Sequence, residues 1–139
     1  METIDLTILG TPVAKGRPRV TRWGAHTPEA TVNYENLVKE CYMIQGEGVR
    51  LEGALKVSIN LFFPIAESTS KKRKKLMVDG GIRPQKKPDA DNCIKSICDA
   101  LNELAYRDDK QIVEVHAHKF YAEQPRAEVV ISEMEWVVK

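Results

Sequence analysis

The stretch Leu55-Lys56-Val57-Ser58-Ile59-Asn60-Leu61-Phe62-Phe63 puts an apolar side chain at every second position without a break, and Pro64 closes it. Alternation over that length belongs to a β-strand with one buried face, because successive side chains point to opposite sides. The chain must then supply further strands beside it and a layer to cover it. Thr3 to Leu9 offers a second strand, with Ile4, Leu6 and Ile8 set against polar neighbours before Gly10-Thr11-Pro12 ends it. Residues 111–121 offer a third, with Val113, Val115 and Ala117 on one side and Ile112, Glu114, His116 and His118 on the other. Residues 127–134 give a fourth after the turn Glu123-Gln124-Pro125. Only that turn separates the last two strands, so they are expected to pair as an antiparallel hairpin.

The covering layer is helical. Thr27-Pro28-Glu29 reads as an N-cap, a proline at the first helical position and an acid in the first turn. Tyr34, Leu37, Val38, Cys41 and then Ile44 or Gln45 follow at helical spacing, with Gly46 as the C-cap. Ser68-Thr69-Ser70 can cap a short helix holding Lys71-Lys72-Arg73-Lys74-Lys75, anchored by Leu76 and Met77. Asp79-Gly80-Gly81 turns the chain, and the prolines in residues 83–88 favour extended backbone. A helix of about fourteen residues follows. Ile94, Ile97, Cys98, Leu101 and Leu104 lie on its apolar face, and Asp91, Lys95, Asp99 and Asn102 on the other. With 139 residues the expectation is a single α+β domain over 1–139, its mixed or antiparallel sheet of about four strands flanked by helices.

No apolar run approaches the ~20 residues a membrane span needs, and the first residues lack a secretory pattern. Cys41, Cys93 and Cys98 form no Cys-x-x-Cys pair and read as small buried apolar groups, which fits a reducing cytoplasm. The net charge of +1 hides an asymmetry. Residues 1–88 carry 15 Lys and Arg against 9 Asp and Glu, and residues 89–139 carry 6 against 11. The first part suits a polyanion and the second a cation, a combination that nucleic acid with a divalent metal satisfies. Lys15, Arg17, Arg19 and Arg22 stand in a Gly- and Pro-containing arm with no acid between Asp5 and Glu29. That arm, and the run Lys71, Lys72, Arg73, Lys74, Lys75, are assigned to DNA phosphates on charge. Trp23 could stack on an unpaired base or anchor the arm.

The chemistry concentrates at Pro88-Asp89-Ala90-Asp91-Asn92-Cys93-Ile94-Lys95, with Asp108-Asp109 downstream. If residues 88–91 are extended, Asp89 and Asp91 point the same way, and Lys95 falls one turn after Asp91 on the same face. Each feature has a plain structural explanation: an Asp before a helix caps it, an Asp-Asp pair turns the chain, and Lys95 can pair with Asp91 or Asp99. Together the acids exceed what one cap needs, and their repulsion would be relieved by a metal. Hydrolysis of a phosphodiester needs an activated water, screening of the phosphate and help for the leaving oxygen. Magnesium supplies all three through oxygen ligands. A fourteen-residue helix is ~21 Å long, so Asp109 must return beside Asp89 and Asp91 within one subunit or reach them from a second. Glu114, His116 and His118 are better explained as a solvent-facing strand than as a zinc site.

The run Asp89-Ala90-Asp91-Asn92-Cys93-Ile94-Lys95, followed by Asp99-Ala100-Leu101-Asn102 and Tyr106-Arg107-Asp108-Asp109-Lys110-Gln111-Ile112, resembles the RusA family of Holliday junction resolvases. Pro12-Val13-Ala14-Lys15-Gly16-Arg17-Pro18-Arg19 is similar to the start of its phage-borne members. The resemblance implies a homodimeric, magnesium-dependent endonuclease, with manganese able to substitute, that resolves four-way DNA junctions by paired nicks. It implies metal-binding acids at Asp89, Asp91 and Asp109 and an essential Lys95; Asp108, which adjoins them, is taken as second choice. Glu103 departs from the family, which often has Gly there. Two alternatives stand beside this reading: a nuclease for forks or flaps, and an accessory that binds branched DNA without cutting it.

Overall fold

The computed structural model describes residues 2–138. In chain order the elements are β1 (Thr3–Leu9), β2 (Arg19–Thr21), β3 (Gly24–His26), α1 (Glu29–Gln45), β4 (Leu55–Pro64), α2 (Lys71–Val78), α3 (Ala90–Ala100), β5 (Ile112–Ala122) and β6 (Arg126–Glu133). β1, β6, β4 and β5 form one mixed sheet in that spatial order, so the expected α+β architecture is present. β2 and β3 form a separate small hairpin within the basic arm. Among the described residues no helix is long and apolar enough to cross a membrane.

β5 and β6 do not form the expected hairpin. β4 lies between them, parallel to β5 and antiparallel to β6, so Phe62 faces Phe120 on one side and Arg126 on the other. Two inter-strand spacings are about 9.6 Å, and four extended residue steps reach ~13 Å. The turn at 123–125 is therefore long enough to step over the end of β4. Burial decides between the arrangements. Leu55, Val57, Ile59, Leu61 and Phe63 are all buried, and a central position lets β4 be shielded by neighbours on both edges.

α1 and α3 supply the cover, packing Tyr34, Val38, Cys41, Cys93, Ile97 and Leu101 into one core with Ile4, Leu6, Ile8, Val129 and Ile131 of the sheet. The three cysteines are free and buried. Three local expectations need correction. α1 begins after Pro28 rather than Thr27, with no side-chain cap. The hydroxyl that works there is that of Thr31, which accepts from the Gly16 N–H at 2.9 Å. Gly46 does cap α1, but at φ −77°, and its reason is steric: a Cβ there would lie 2.6 Å from the Tyr42 carbonyl. Residues 83–88 form no strand and bend along β5, where Arg83 Nε donates to the Lys119 carbonyl at 2.8 Å. The short helix α2 forms as expected, with the Ser70 hydroxyl accepting from Arg73 N–H.

The two sheet edges differ. On β1, Thr7 N–H donates to Gln45 Oε1 (2.8 Å) and Gln45 Nε2 donates to the Thr7 carbonyl (2.9 Å), as a neighbouring strand would. Ile44, the alternative apolar position, is exposed. On β5, Val113 and Val115 are 56% and 51% exposed beside the free edge.

Candidate active site on helix α3

α3 is shorter than the periodicity predicts, eleven residues ending at Ala100. The chain then turns to bury Leu101, Ala105 and Tyr106, whose hydroxyl donates to the Cys98 carbonyl at 2.6 Å. Glu103 sits in this turn at φ 65°, in the left-handed region that favours glycine. The Gly-to-Glu departure noted in the sequence falls at this position.

At the start of α3, Asp89 occupies the N-cap position with extended backbone, yet its side chain makes no capping hydrogen bond. Among the described residues no hydrogen bond or ion pair holds its carboxylate. Asp91 lies in the first turn, and both acids are exposed. The base of the basic arm is stitched to this turn: Lys15 N–H donates to the Asn92 carbonyl (2.8 Å), and buried Ser96 Oγ donates to the Val13 carbonyl (2.7 Å). Lys119 of β5 approaches from below, its Nζ donating to the carbonyls of Lys86 (2.8 Å) and Pro88 (2.9 Å). The thiol of Cys93 registers this surround. Burial pushes it up to about 11, Lys119 opposes that, and Asp89 and Asp91 add to it.

The other end of α3 is a closed network. Asp99 pairs with Lys95 (3.5 Å) and Lys15 (3.3 Å), and Lys15 also meets Glu35 of α1 at 2.6 Å. Burial alone would lower the Lys15 ammonium, but Glu35 and Asp99 outweigh it and its pKa is raised. Asp109 N–H donates to Asn102 Oδ1 at 2.8 Å. Burial raises the Asp109 carboxyl, and hydrogen bonding and repulsion from Asp99 and then Asp108 raise it further. Asp108 is occupied in holding its own turn. Its carboxylate accepts from Lys110 N–H (2.9 Å), and Gln111 Oε1 accepts from Asp108 N–H (3.0 Å), a reciprocal cap on the 3-10 turn that opens β5. The Lys110 bond is the main cause that lowers the Asp108 carboxyl.

The polar face of α3 thus runs Asp91, Lys95, Asp99, Asn102, with Asp109 joined at its far end. Asp91 and Asp99 are eight residues apart, about 12 Å along the axis. Asp109 is brought beside Asp99, away from Asp89 and Asp91. Among the described residues no three His, Cys, Asp or Glu side chains gather closely enough to hold one metal ion. What stands together in one chain is a pair of exposed carboxylates, the donor type magnesium takes alongside water and a substrate phosphate. His116 contacts Glu114 at 3.2 Å, and His118 stacks on Phe120.

Of the cations assigned to DNA, Arg17, Arg19 and Arg22 are exposed on the hairpin arm, with Arg22 over the Trp23 ring at 5.1 Å. Lys71, Lys72, Arg73 and Lys75 are exposed on α2, and Lys74 is half-buried. Among the described residues none of these pairs with an acid, whereas Lys15 is held by Glu35 and Asp99. Sequence reading missed Glu35, Ser96 and Lys119, and it set Asn102 on the polar face without its bond to Asp109. Of the three, only Ser96 carried a signal, a serine on the apolar side of a helix.

Two comparisons bear on this site. The chain is 36% identical over 140 residues to the uncharacterized protein YqaN of Bacillus subtilis (strain 168), covering 96% of this chain and 99% of that protein. The family model for endodeoxyribonuclease RusA matches residues 10–132, which takes in the basic arm, the whole of α3 and the Asp108-Asp109 turn. The chain belongs to the RusA endodeoxyribonuclease family.

Proposed function

We propose that the protein is a magnesium-dependent endonuclease that resolves four-way DNA junctions by paired nicks, with manganese able to replace magnesium. The observation that carries this reading is the pair Asp89 and Asp91, both exposed at the start of α3, with Asp89 at the cap position yet not capping. The base of the basic arm abuts them through Lys15 N–H and the Asn92 carbonyl. Asp89 and Asp91 would hold the metal. Bound there, magnesium would screen the phosphate charge and acidify a water. Lys95, 60% exposed and only loosely paired with Asp99, is placed to meet charge that develops on the phosphate. Arg17, Arg19, Arg22 and the α2 cations would grip the junction arms through phosphates, and Trp23 would stack on an unpaired base.

Asp109 belongs to the same site through a homodimer, in our reading. Within one chain it lies beside Asp99, so a second copy is the route by which it would reach Asp89 and Asp91. Two-fold symmetry also suits the reaction, because separating a four-way junction into two duplexes takes two matched cuts. Asp108, engaged in its cap, ranks behind Asp109.

The test is incubation with a synthetic four-way junction, a fork, a flap and a linear duplex, with and without magnesium, mapping cuts on every strand. Paired symmetric nicks confined to the junction are expected. Cuts confined to the fork or flap would replace junction resolution with another structure-specific activity. Binding without cutting at any magnesium or manganese concentration would leave a branched-DNA binder.

A further inference from the structure

The turn that delivers Asp89 is poorly suited to hold itself in place. Residues 83–88 contain Arg83, Lys86 and Lys87 with no acid, and two prolines remove backbone donors. Three of the hydrogen bonds that tie this segment down go to a single residue of the neighbouring strand. Lys119 Nζ donates to the carbonyls of Lys86 and Pro88, and its own carbonyl accepts from Arg83 Nε. Lys119 is half-buried, with its ammonium 5.5 Å from the Phe63 ring centre. A fourth cation among three others is unfavourable by itself. Asp89 and Asp91 follow directly on this turn, and both carboxylates and Lys119 act on the Cys93 thiol.

We propose that Lys119 is a positioning residue for the Asp89 and Asp91 pair, clamping from β5 the turn that leads into α3. It rests on the metal reading above but adds a residue outside the acidic motif. The Pro88 carbonyl belongs to the residue immediately before Asp89, so fixing it fixes the direction from which the Asp89 side chain leaves the backbone. Two of its three N–H groups are already given to loop carbonyls, which sets Lys119 apart from the exposed cations of the arm and α2. Its role is carried through Asp89.

Charge and clamping predict opposite signs. If Lys119 were merely a nearby cation, removing it would tighten binding of a divalent ion to the two carboxylates. If it is a clamp, removing it loosens the pair and weakens binding, by about tenfold or more on the scale set by residues that support metal ligands. The experiment titrates Mn2+ into the full-length protein without DNA, by electron paramagnetic resonance, for wild type, Lys119→Met and Lys119→Arg. Amide hydrogen exchange over residues 93–97, the first turn of α3 whose N–H groups are bonded, is measured in parallel. Lys119→Met should bind Mn2+ at least about tenfold more weakly, exchange faster at 93–97 and bind a junction in EDTA as wild type does; Lys119→Arg, which keeps the donors, should recover most of the metal affinity. Mn2+ binding by Lys119→Met as tight as wild type, or tighter, overturns the clamp. If wild type binds no Mn2+, the metal reading fails, and the clamp is judged on exchange alone: equal protection in both proteins overturns it. If Lys119→Met does not fold, Lys119→Gln, uncharged and with its amide donors on a shorter stem, is read by the same two measurements.

Discussion

The two ends of α3 carry acids of the same kind in opposite circumstances. At the start, Asp89 and Asp91 are exposed and Asp89 leaves the cap unmade. At the far end, Asp99, Asp108 and Asp109 are drawn into bonds with Lys15, Lys95, Lys110 and one another. Asp99 and Asp108 are answered by lysines or main-chain donors, Asp109 is crowded by burial and by Asp99, and Asp89 and Asp91 stand open. The difference separates an end of the helix where acids are bonded or crowded from an end where they are exposed and uncapped.

Substitutions should break this contrast in a definite order. Asp91→Asn at the open end should abolish nicking, a loss beyond the roughly 100-fold that a mere neighbour of a ligand costs. It should leave junction binding intact or improved, since a negative charge near DNA is removed. Retained nicking on a strand-mapped junction would refute the role given to Asp91.

At the closed end the readout is stability rather than cutting alone. Asp109 holds its proton more tightly folded than unfolded, because burial and Asp99 raise it. The stability this gives is fully present below the unfolded value and lost as pH rises through the folded one. Ionised Asp109 therefore costs stability at neutral pH, and Asp109→Asn should melt above wild type at pH 7 and match it below pH 3. Equal melting temperatures at both pH values would show that Asp99 and Asp109 do not repel in the folded protein.

The arm sharpens the comparison. Arg19→Gln should weaken junction binding and reduce the log–log salt slope by about 0.9, as loss of one phosphate contact does. Lys15→Met should leave the slope unchanged, because its ammonium is engaged by Glu35 and Asp99. A slope change of the Arg19 size in Lys15→Met would mean that Lys15 leaves the closed end to grip DNA. The smallest effect is expected from Glu103→Gly, which relieves a left-handed backbone at some entropic cost and should stabilise by about 1 kcal/mol or less in denaturant melts.

Much of this was legible in the residues. The alternation from Leu55 to Phe63 gave the core strand, and the order of acids gave α3 and its polar face. The pairing of β5 with β4 was not legible, because a three-residue turn serves a hairpin or a step across one strand equally well. The choice rests on how fully β4 is buried, a property of the assembled sheet. The position of Asp109 also escaped the sequence, since it follows from an early helix end at Ala100 and a turn made at Glu103. Lys119 was invisible for another reason. On an alternating strand it reads as one more solvated lysine, and its partners are main-chain carbonyls, which carry no residue signature.

Gln45 has a consequence beyond α1. By meeting Thr7 with its own amide it occupies the main-chain groups of that residue on the β1 border, while Val113 and Val115 on β5 are exposed. Any strand added to this sheet would meet Thr7 already answered on the β1 border, so extension would start more readily from the β5 border.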